Sequence, residues 1–257
     1  MKLGYVCLFL VLVTLMLTGP QVVRADDFTL ESVDAEQVVL VLTDSWDSLS
    51  GQAYLFNRAD KEYIQVGETL PIVVGRKGLG WGIGLHSNAG LAGPQKREGD
   101  GKGVAGVFRF DKVMGYAAKP PSGTSLTYVQ SKTGTRCVDD SKSTQYNRIV
   151  ELKNFKGKAK DWKSSERMVR KDKLYKLLIA IDHNTSEKPN TLGGSCIFFH
   201  IWRANNKGTA GCTATTEKNL VRLIEFIKAK DKSVLVQMPR AVYHKLQKPW
   251  GLPPVGK

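Results

Sequence analysis

Short apolar runs, each closed within a few residues by turn-forming positions, dominate the chain from Val38 onward. Val38 to Leu42 is one such run and ends at Thr43-Asp44. Ala53 to Asn57 and Tyr63 to Val66 flank Arg58-Ala59-Asp60-Lys61, the pattern of a β-hairpin. Pro71 to Val74 predicts another strand, which runs into the glycine-rich "GRKGLGWGIGLHSNAGLAG", and Val107 to Phe110 resumes strand character. Ser164 to Leu174 predicts a short helix, Leu174 to Ile181 contains a strand, and Cys196 to Trp202 forms the next one. From Thr216 to Lys228, Leu220, Leu223, Ile224 and Ile227 recur at i, i+3, i+4 and i+7, the core-facing stripe of a helix. Thr213, Thr215 and Thr216 are candidate N-caps, and Glu217 suits the first turn. Val234 to Met238 is a late strand. Strands outnumber helices and most connections are too short for parallel crossovers, so the expected class is mainly β with a few packed helices. With no internal repeat, low-complexity tract or Pro/Ser linker, residues 26–257 read as a single domain.

The N-terminus changes the setting. Lys2 supplies a positive charge, Val6 to Leu17 is an uncharged apolar run, and Val23-Arg24-Ala25 offers small residues where a signal peptidase cuts. The run is shorter than the ~20 residues a membrane-spanning helix needs, and no other segment is long and apolar enough to span. Residues 1–25 therefore read as a signal peptide, and the product as exported to the periplasm or the outer envelope. Removing Lys2 and Arg24 lowers the formal charge from +14 to +12. A basic exported protein seeks an acidic partner such as a wall polymer, and export makes nucleic acid the poorest choice. The cations of "KNFKGKAKDWKSSERMVRKDK" (Lys153 to Lys173) are interleaved with Asp and Glu, the pattern of a solvated face. "GKGVAG" (Gly101 to Gly106) matches a dinucleotide-binding pattern by letter, yet a strand follows it where a helix is required. No cofactor is implied.

Cleavage at residue 25 would leave Cys137, Cys196 and Cys212, and in an oxidising compartment an odd count leaves one thiol free. Two of the three lie in "GSCIFFHIWRANNKGTAGCTATTEKN" (Gly194 to Asn219). Strand alternation puts Cys196, Phe198, His200 and Trp202 on one face and Ile197, Phe199 and Ile201 on the other. Cys196 and His200 are then roughly 13 Å apart at about 3.3 Å per residue, too far to touch. Cys212 arrives through a loop and has no such restriction, so Cys212 and His200 are the plausible nucleophile and general base. Placed before a helix, Cys212 would also feel the positive end of the helix dipole, which favours the thiolate. Gly211 would admit a substrate close to the sulfur. Two disulfides remain open, Cys196–Cys212 and Cys137–Cys196; only the second leaves Cys212 for chemistry. His183, Cys196, His200 and Cys212 lack the tight pairs of a zinc site, so no metal is expected.

"GSCIFFHIWR…GTAGCTATTE" resembles the catalytic core of the L,D-transpeptidase (YkuD-type) family: a strand histidine, a short loop, then Ser/Thr-x-Gly-Cys. "VVGRKGLGWGIGL…KREGDGKGVAGVFRF" (Val73 to Phe110) is similar to a second family stretch, while "CVDDSKSTQYN" and "DWKSSERM" resemble its periplasmic branch. The likeness runs from about Val38 to Pro239. It implies a β-sandwich or barrel-like catalytic domain acting on peptidoglycan stem peptides. Cys212 would form a thioester at an L,D peptide bond, and His200 would take the thiol proton and later protonate the leaving amine. Gly211, Cys212 and Thr213 would supply backbone to the oxyanion. An amine acceptor makes a transpeptidase; water makes a carboxypeptidase, or an amidase that releases a wall-linked envelope protein. A wall-binding module without catalysis is the contrasting class. "TAGCTA" lacks the family's histidine before the glycine and its arginine two after the cysteine, and Gly103-Val104 replaces Thr/Ser-Pro. Lys96, Arg97 and Arg203 are candidates for the substrate carboxylate. Trp202 is a candidate for the cleft wall, although strand aromatics more often pack in a core. His86 and His183 sit in polar, turn-rich stretches and are expected at the surface. Glu98 and Asp100 form no clear acid pair.

Overall fold

The computed structural model describes residues 28–156 and 159–256, so the signal peptide expected at 1–25 lies outside the described residues. The described residues form fourteen strands and two α-helices. The first half holds β1 (Gln37–Thr43), β2 (Ser50–Ala59), β3 (Glu62–Gln65), β4 (Leu70–Val73), β5 (Leu79–Trp81), β6 (Gly103–Gly115) and β7 (Tyr128–Gln130). β8 (Thr135–Cys137), β9 (Ile149–Glu151), β10 (Glu166–Arg167), β11 (Leu177–Ile181), β12 (Phe198–Ile201) and β13 (Thr213–Thr215) follow. The chain then forms α1 (Glu217–Phe226), β14 (Val234–Pro239) and α2 (Arg240–Leu246). The fold is mainly β with few helices.

Eight strands close a mixed barrel in the order β1-β14-β6-β11-β12-β13-β4-β2, and β2 returns to pair with β1. Closure removes the exposed edges that an open sheet would leave. β1 is buried at every position because it lies between β2 and β14, which explains its unbroken apolar run. The β2–β3 hairpin turns at Asp60, held in the left-handed region at φ 54°. β6 is much longer than the four residues its sequence suggested, because its glycine-rich start pairs with β5 and β14. Gly106 there has φ 128°, and a Cβ on it would stand 1.9 Å from the His86 ring. Among the described residues, no helix is long and apolar enough to cross a membrane.

Two apolar clusters divide the interior. The larger contains β1, Trp81, Phe108, Phe199, Trp250 and the α1 stripe Leu220, Leu223 and Ile224. α1 starts where its stripe predicted, with Thr216 Oγ1 accepting the Asn219 N–H at 3.1 Å as the N-cap. The smaller cluster joins Met114, Cys137, Met168, Tyr175, Phe198 and Cys212 on the opposite face of β11 and β12. It is roofed by a separate three-stranded sheet, β10-β8-β9.

The helix expected over Ser164 to Leu174 does not form. Glu166 and Arg167 pair with Cys137 and Arg136 of β8 instead, and Asp172 then shapes a turn by accepting the Leu174 N–H. Cross-strand pairing and side-chain turn chemistry outweigh local helical periodicity here. Cys137 and Cys196 form a disulfide, which bonds this small sheet to the barrel. The bridge closes a sequence separation of 59 residues. Loop entropy for that length is worth about 4 kcal/mol. Selective reduction is therefore expected to shift the urea midpoint by that equivalent, and an unchanged midpoint would show that the bridge adds no stability.

Candidate active site

β12 alternates as its sequence requires: Ile197, Phe199 and Ile201 face the main core, while Cys196 and Phe198 face the smaller cluster. His200 is on the latter side, with its ring 5.1 Å from that of Tyr175. β13 runs parallel to β12, with Phe199 opposite Thr213 and His200 opposite Ala214. One residue earlier, Cys212 lies beside Phe198, whose N–H points to the sulfur at 3.3 Å. Cys212 and His200 thus share a face, offset by two residues across neighbouring strands. Strands about 4.8 Å apart with a rise of about 3.3 Å per residue put their Cα atoms about 8 Å apart.

Cys212 is not at a helix N-terminus. β13 intervenes, and α1 begins five residues later at Glu217. Thr213 and Thr215 hold β13 in strand form: Thr213 Oγ1 donates to Gln237 Oε1 at 2.8 Å, and Thr215 Oγ1 donates to the Pro71 carbonyl at 2.7 Å. The helix field decays within its first turn and does little for this thiol. The loop before it is set by Thr209, whose hydroxyl accepts the Gly211 N–H at 3.1 Å and donates to the Cys212 carbonyl at 2.6 Å. That commitment occupies the Gly211 N–H expected at the oxyanion, and the Thr213 side chain points away into the main core. Gly208 lets the loop lie against Arg76, since a Cβ there would stand 2.6 Å from the Arg76 backbone.

Cys212 is the free cysteine among the described residues and is 5% exposed. Burial pushes its thiol up to about 12, and the nearby Glu166 carboxylate pushes the same way. The Phe198 N–H and the Lys96 ammonium oppose this rise. The sulfur also meets the Cys196 carbonyl at 3.5 Å. Cys196 reaches that position in the left-handed region, φ 56°, with its N–H on Asn147 Oδ1 at 2.9 Å. Among the described residues, no hydrogen bond joins Cys212 to His200. The imidazole Nδ1 is 2.7 Å from the Ile201 carbonyl. A carbonyl only accepts, so Nδ1 carries the proton and Nε2 holds the free lone pair. Burial pulls His200 down to about 4, so the ring is neutral near pH 7.

His200 opens onto a cavity of about 170 Å³, walled in part by Glu166, Tyr175, Arg203, Lys207 and Ala210. Arg170 grips Asp172 through Nε at 3.0 Å and Nη2 at 2.8 Å, and Arg203 meets the same carboxylate at 3.1 Å. Arg170 also lies over the Tyr175 ring at 4.9 Å. The cations at this mouth suit a carboxylate-bearing ligand.

The other expected residues are dispersed. Lys96 is buried, paired with Asp100 at 2.6 Å, and its Nζ lies beside Gly211 and Gly194. Arg97 is exposed away from the cavity, and its N–H is bonded to Asp100 Oδ2 at 2.7 Å. Trp202 is half-buried, and its N–H is bonded to Thr215. Arg203 alone of the three proposed carboxylate ligands lines the cavity. Glu98 accepts hydrogen bonds from Tyr146 at 2.5 Å and Ser195 at 2.7 Å. His86 and His183 are buried rather than exposed, because the glycine-rich loops fold over them. His183 Nδ1 accepts the Ile83 N–H at 3.1 Å and Nε2 donates to the Gly193 carbonyl at 3.1 Å; His86 Nδ1 accepts the Val107 N–H at 3.2 Å. Among the described residues, no group of three or more His, Cys, Asp or Glu could hold a metal ion.

Sequence reasoning missed Glu166, Tyr175, Lys207 and the Thr209 clamp. The Thr-x-Gly-Cys spacing carries a signal for Thr209; nothing in the spacing of Glu166 or Tyr175 points to Cys212.

No known protein family matches the chain, and no curated protein sequence matches it. A solved structure of Bdellovibrio bacteriovorus Bd1075 is similar over 86% of this chain, with a TM-score of 0.39 and 10% identity. The chain spans 56% of that structure's length.

His86, His183 and His200 are each pulled down to about 4 by burial, from about 6.5 unfolded. The folded state favours their neutral forms, so this stability is complete above pH 6.5 and is lost as pH falls through 4, by about 3 kcal/mol per ring. Urea midpoints should hold from pH 8 to 7 and fall between pH 6.5 and 4. His183→Gln should take up one proton fewer on unfolding; an identical pH slope would contradict the assignment.

Proposed function

We propose that this chain is an exported cysteine acyltransferase of the L,D-transpeptidase type, acting on peptidoglycan stem peptides in the bacterial envelope. The observation that carries the reading is the free thiol of Cys212 on the same face of β12 and β13 as His200, which lines a cavity rimmed by Arg203 and Lys207. The resemblance of "HIWR…GTAGCTATTE" to that family supports it independently.

In this mechanism the Cys212 thiolate attacks the amide carbonyl, and the C–N bond breaks to leave a thioester. His200 protonates the leaving amine and then deprotonates the incoming one. Arg203 and Lys207 receive a substrate carboxylate, and the Cys212 N–H faces the developing oxyanion. The sulfur must turn from its resting notch toward the cavity before it reacts. Water in place of the amine would give a carboxypeptidase or an amidase that frees a wall-linked protein. A second reading draws on the burial of the sulfur: a closed, un-ionised thiol also suits a wall-binding module without catalysis.

Purified peptidoglycan incubated with wild type and with Cys212→Ala, then digested and weighed by mass spectrometry, separates these. New 3-3 cross-links with wild type alone are the expected result. Shortened stems or released peptide identify the hydrolase. Binding to the wall without any Cys212-dependent product would sink the enzyme reading.

A further inference from the structure

The cations of Lys153 to Lys173 are interleaved in sequence with three acids, Asp161, Glu166 and Asp172, and folding separates the two signs. Asp161 serves the 143–144 loop, where it accepts the Ser143 and Thr144 hydroxyls at 2.7 and 2.6 Å. Glu166 accepts the Tyr175 hydroxyl at 2.7 Å and lines the His200 cavity. Arg167, the next residue of β10, alternates to the other face. There Arg167, Val169, Arg170, Lys171, Asp172 and Arg203 line a groove of about 520 Å³. Its charged lining is four cations to one carboxylate.

Asp172 offsets one of those charges and braces two of the side chains. Its Oδ1 accepts from Arg170 Nε at 3.0 Å and from the Leu174 N–H at 3.3 Å. Its Oδ2 accepts from Arg170 Nη2 at 2.8 Å and from Arg203 Nη2 at 3.1 Å. Both oxygens are thereby committed to the wall that the groove shares with the His200 cavity, since Arg170 and Arg203 line both. Among the described residues, Arg167 and Lys171 form no ion pair. Arg167 also stands directly across the β8–β10 ladder from Arg136. Like charges in that position destabilise a ladder, a cost that an anion in the groove would offset.

We propose that this groove is a second anion subsite beside the candidate active site, binding a carboxylate of the peptide substrate that is remote from the reacting amide. Arg203 and Lys207 hold the carboxylate nearest His200, and Arg167, Arg170 and Lys171 hold the next one along the peptide. Guanidinium groups present paired N–H donors that match the two oxygens of a carboxylate. A cleft walled mainly by one sign of charge also concentrates the opposite sign before contact. The ligand class is therefore a peptide with at least two carboxylates, and amidation of the remote one weakens it. This inference rests on the peptide substrate of the proposed reaction, but it concerns binding and not the chemistry at Cys212.

Titration calorimetry of Cys212→Ala with a synthetic stem tetrapeptide, as the free acid and with its internal carboxyls amidated, tests it without turnover. The free acid should bind at least about tenfold more tightly, the value of one charged hydrogen-bonded contact. Added salt should narrow that gap, because these side chains are exposed to solvent. Arg167→Gln combined with Lys171→Gln should close the gap and leave the affinity for the amidated peptide unchanged. Circular dichroism and thermal melting confirm that the variant folds; if it does not, Lys171→Gln alone decides. Equal affinity for the two peptides, or a gap that survives the substitutions, overturns the proposal. Inorganic phosphate that displaces the free acid at equal concentration would mark an unselective anion site and overturns it as well. Oligo-γ-glutamate separates this proposal from the enzyme reading. Groove-dependent binding of that polymer by a protein with no Cys212-dependent product keeps the groove and rejects the enzyme. Cys212-dependent product formed equally from both peptides, with or without the groove substitutions, keeps the enzyme and rejects the groove.

Discussion

The parallel pairing of β12 with β13 is the constraint on which the site depends. Two parallel neighbours require the chain to return to the end where the first strand began, usually through a dozen or more residues and a helix. Here residues 202–212 make the return without one. They do so by lying against Val74 and Arg76, with Thr209 knotting the last turn. Because β13 must begin level with the start of β12, the residue entering it lies beside Phe198. That residue is Cys212. His200, two positions further along β12, then falls on the same face at about one strand diagonal.

The second constraint is the seam between the barrel and the β10-β8-β9 sheet. The Cys137–Cys196 bond ties the two together and fixes the chain just before β12. Its position holds the Cys196 carbonyl against the thiol and brings Glu166 opposite Cys137. The result is a closed sulfur in a low-polarity seam, whose ionisation the Glu166 carboxylate opposes and the Lys96 ammonium favours. Burial and Glu166 hold the thiol un-ionised, against Lys96 and the Phe198 N–H.

Local pattern carried much of the fold. The unbroken run of β1, the two-sided alternation of β12, the α1 stripe and its Thr216 cap are all legible because each obeys the period of its own element. Ser164 to Leu174 is not, because its helical spacing loses to pairing of Glu166 and Arg167 with β8. His86 and His183 also misled: polar, glycine-rich neighbours suggested a surface. Those glycines instead permit the backbone to close over the rings, as at Gly106.

The sequence by itself pointed to Cys212 rather than Cys196 as the cysteine free to approach His200, since alternation separates Cys196 from His200 and a loop leaves Cys212 unrestricted. It also determined the mainly β class. Only the tertiary structure decided which described cysteine is free, that a strand rather than a helix follows it, and that Tyr175 shares its buried cluster. Those outcomes come from pairing between segments far apart along the chain. A strand's register and a disulfide's partner are set by the energy of the whole closed barrel, and no local spacing records it.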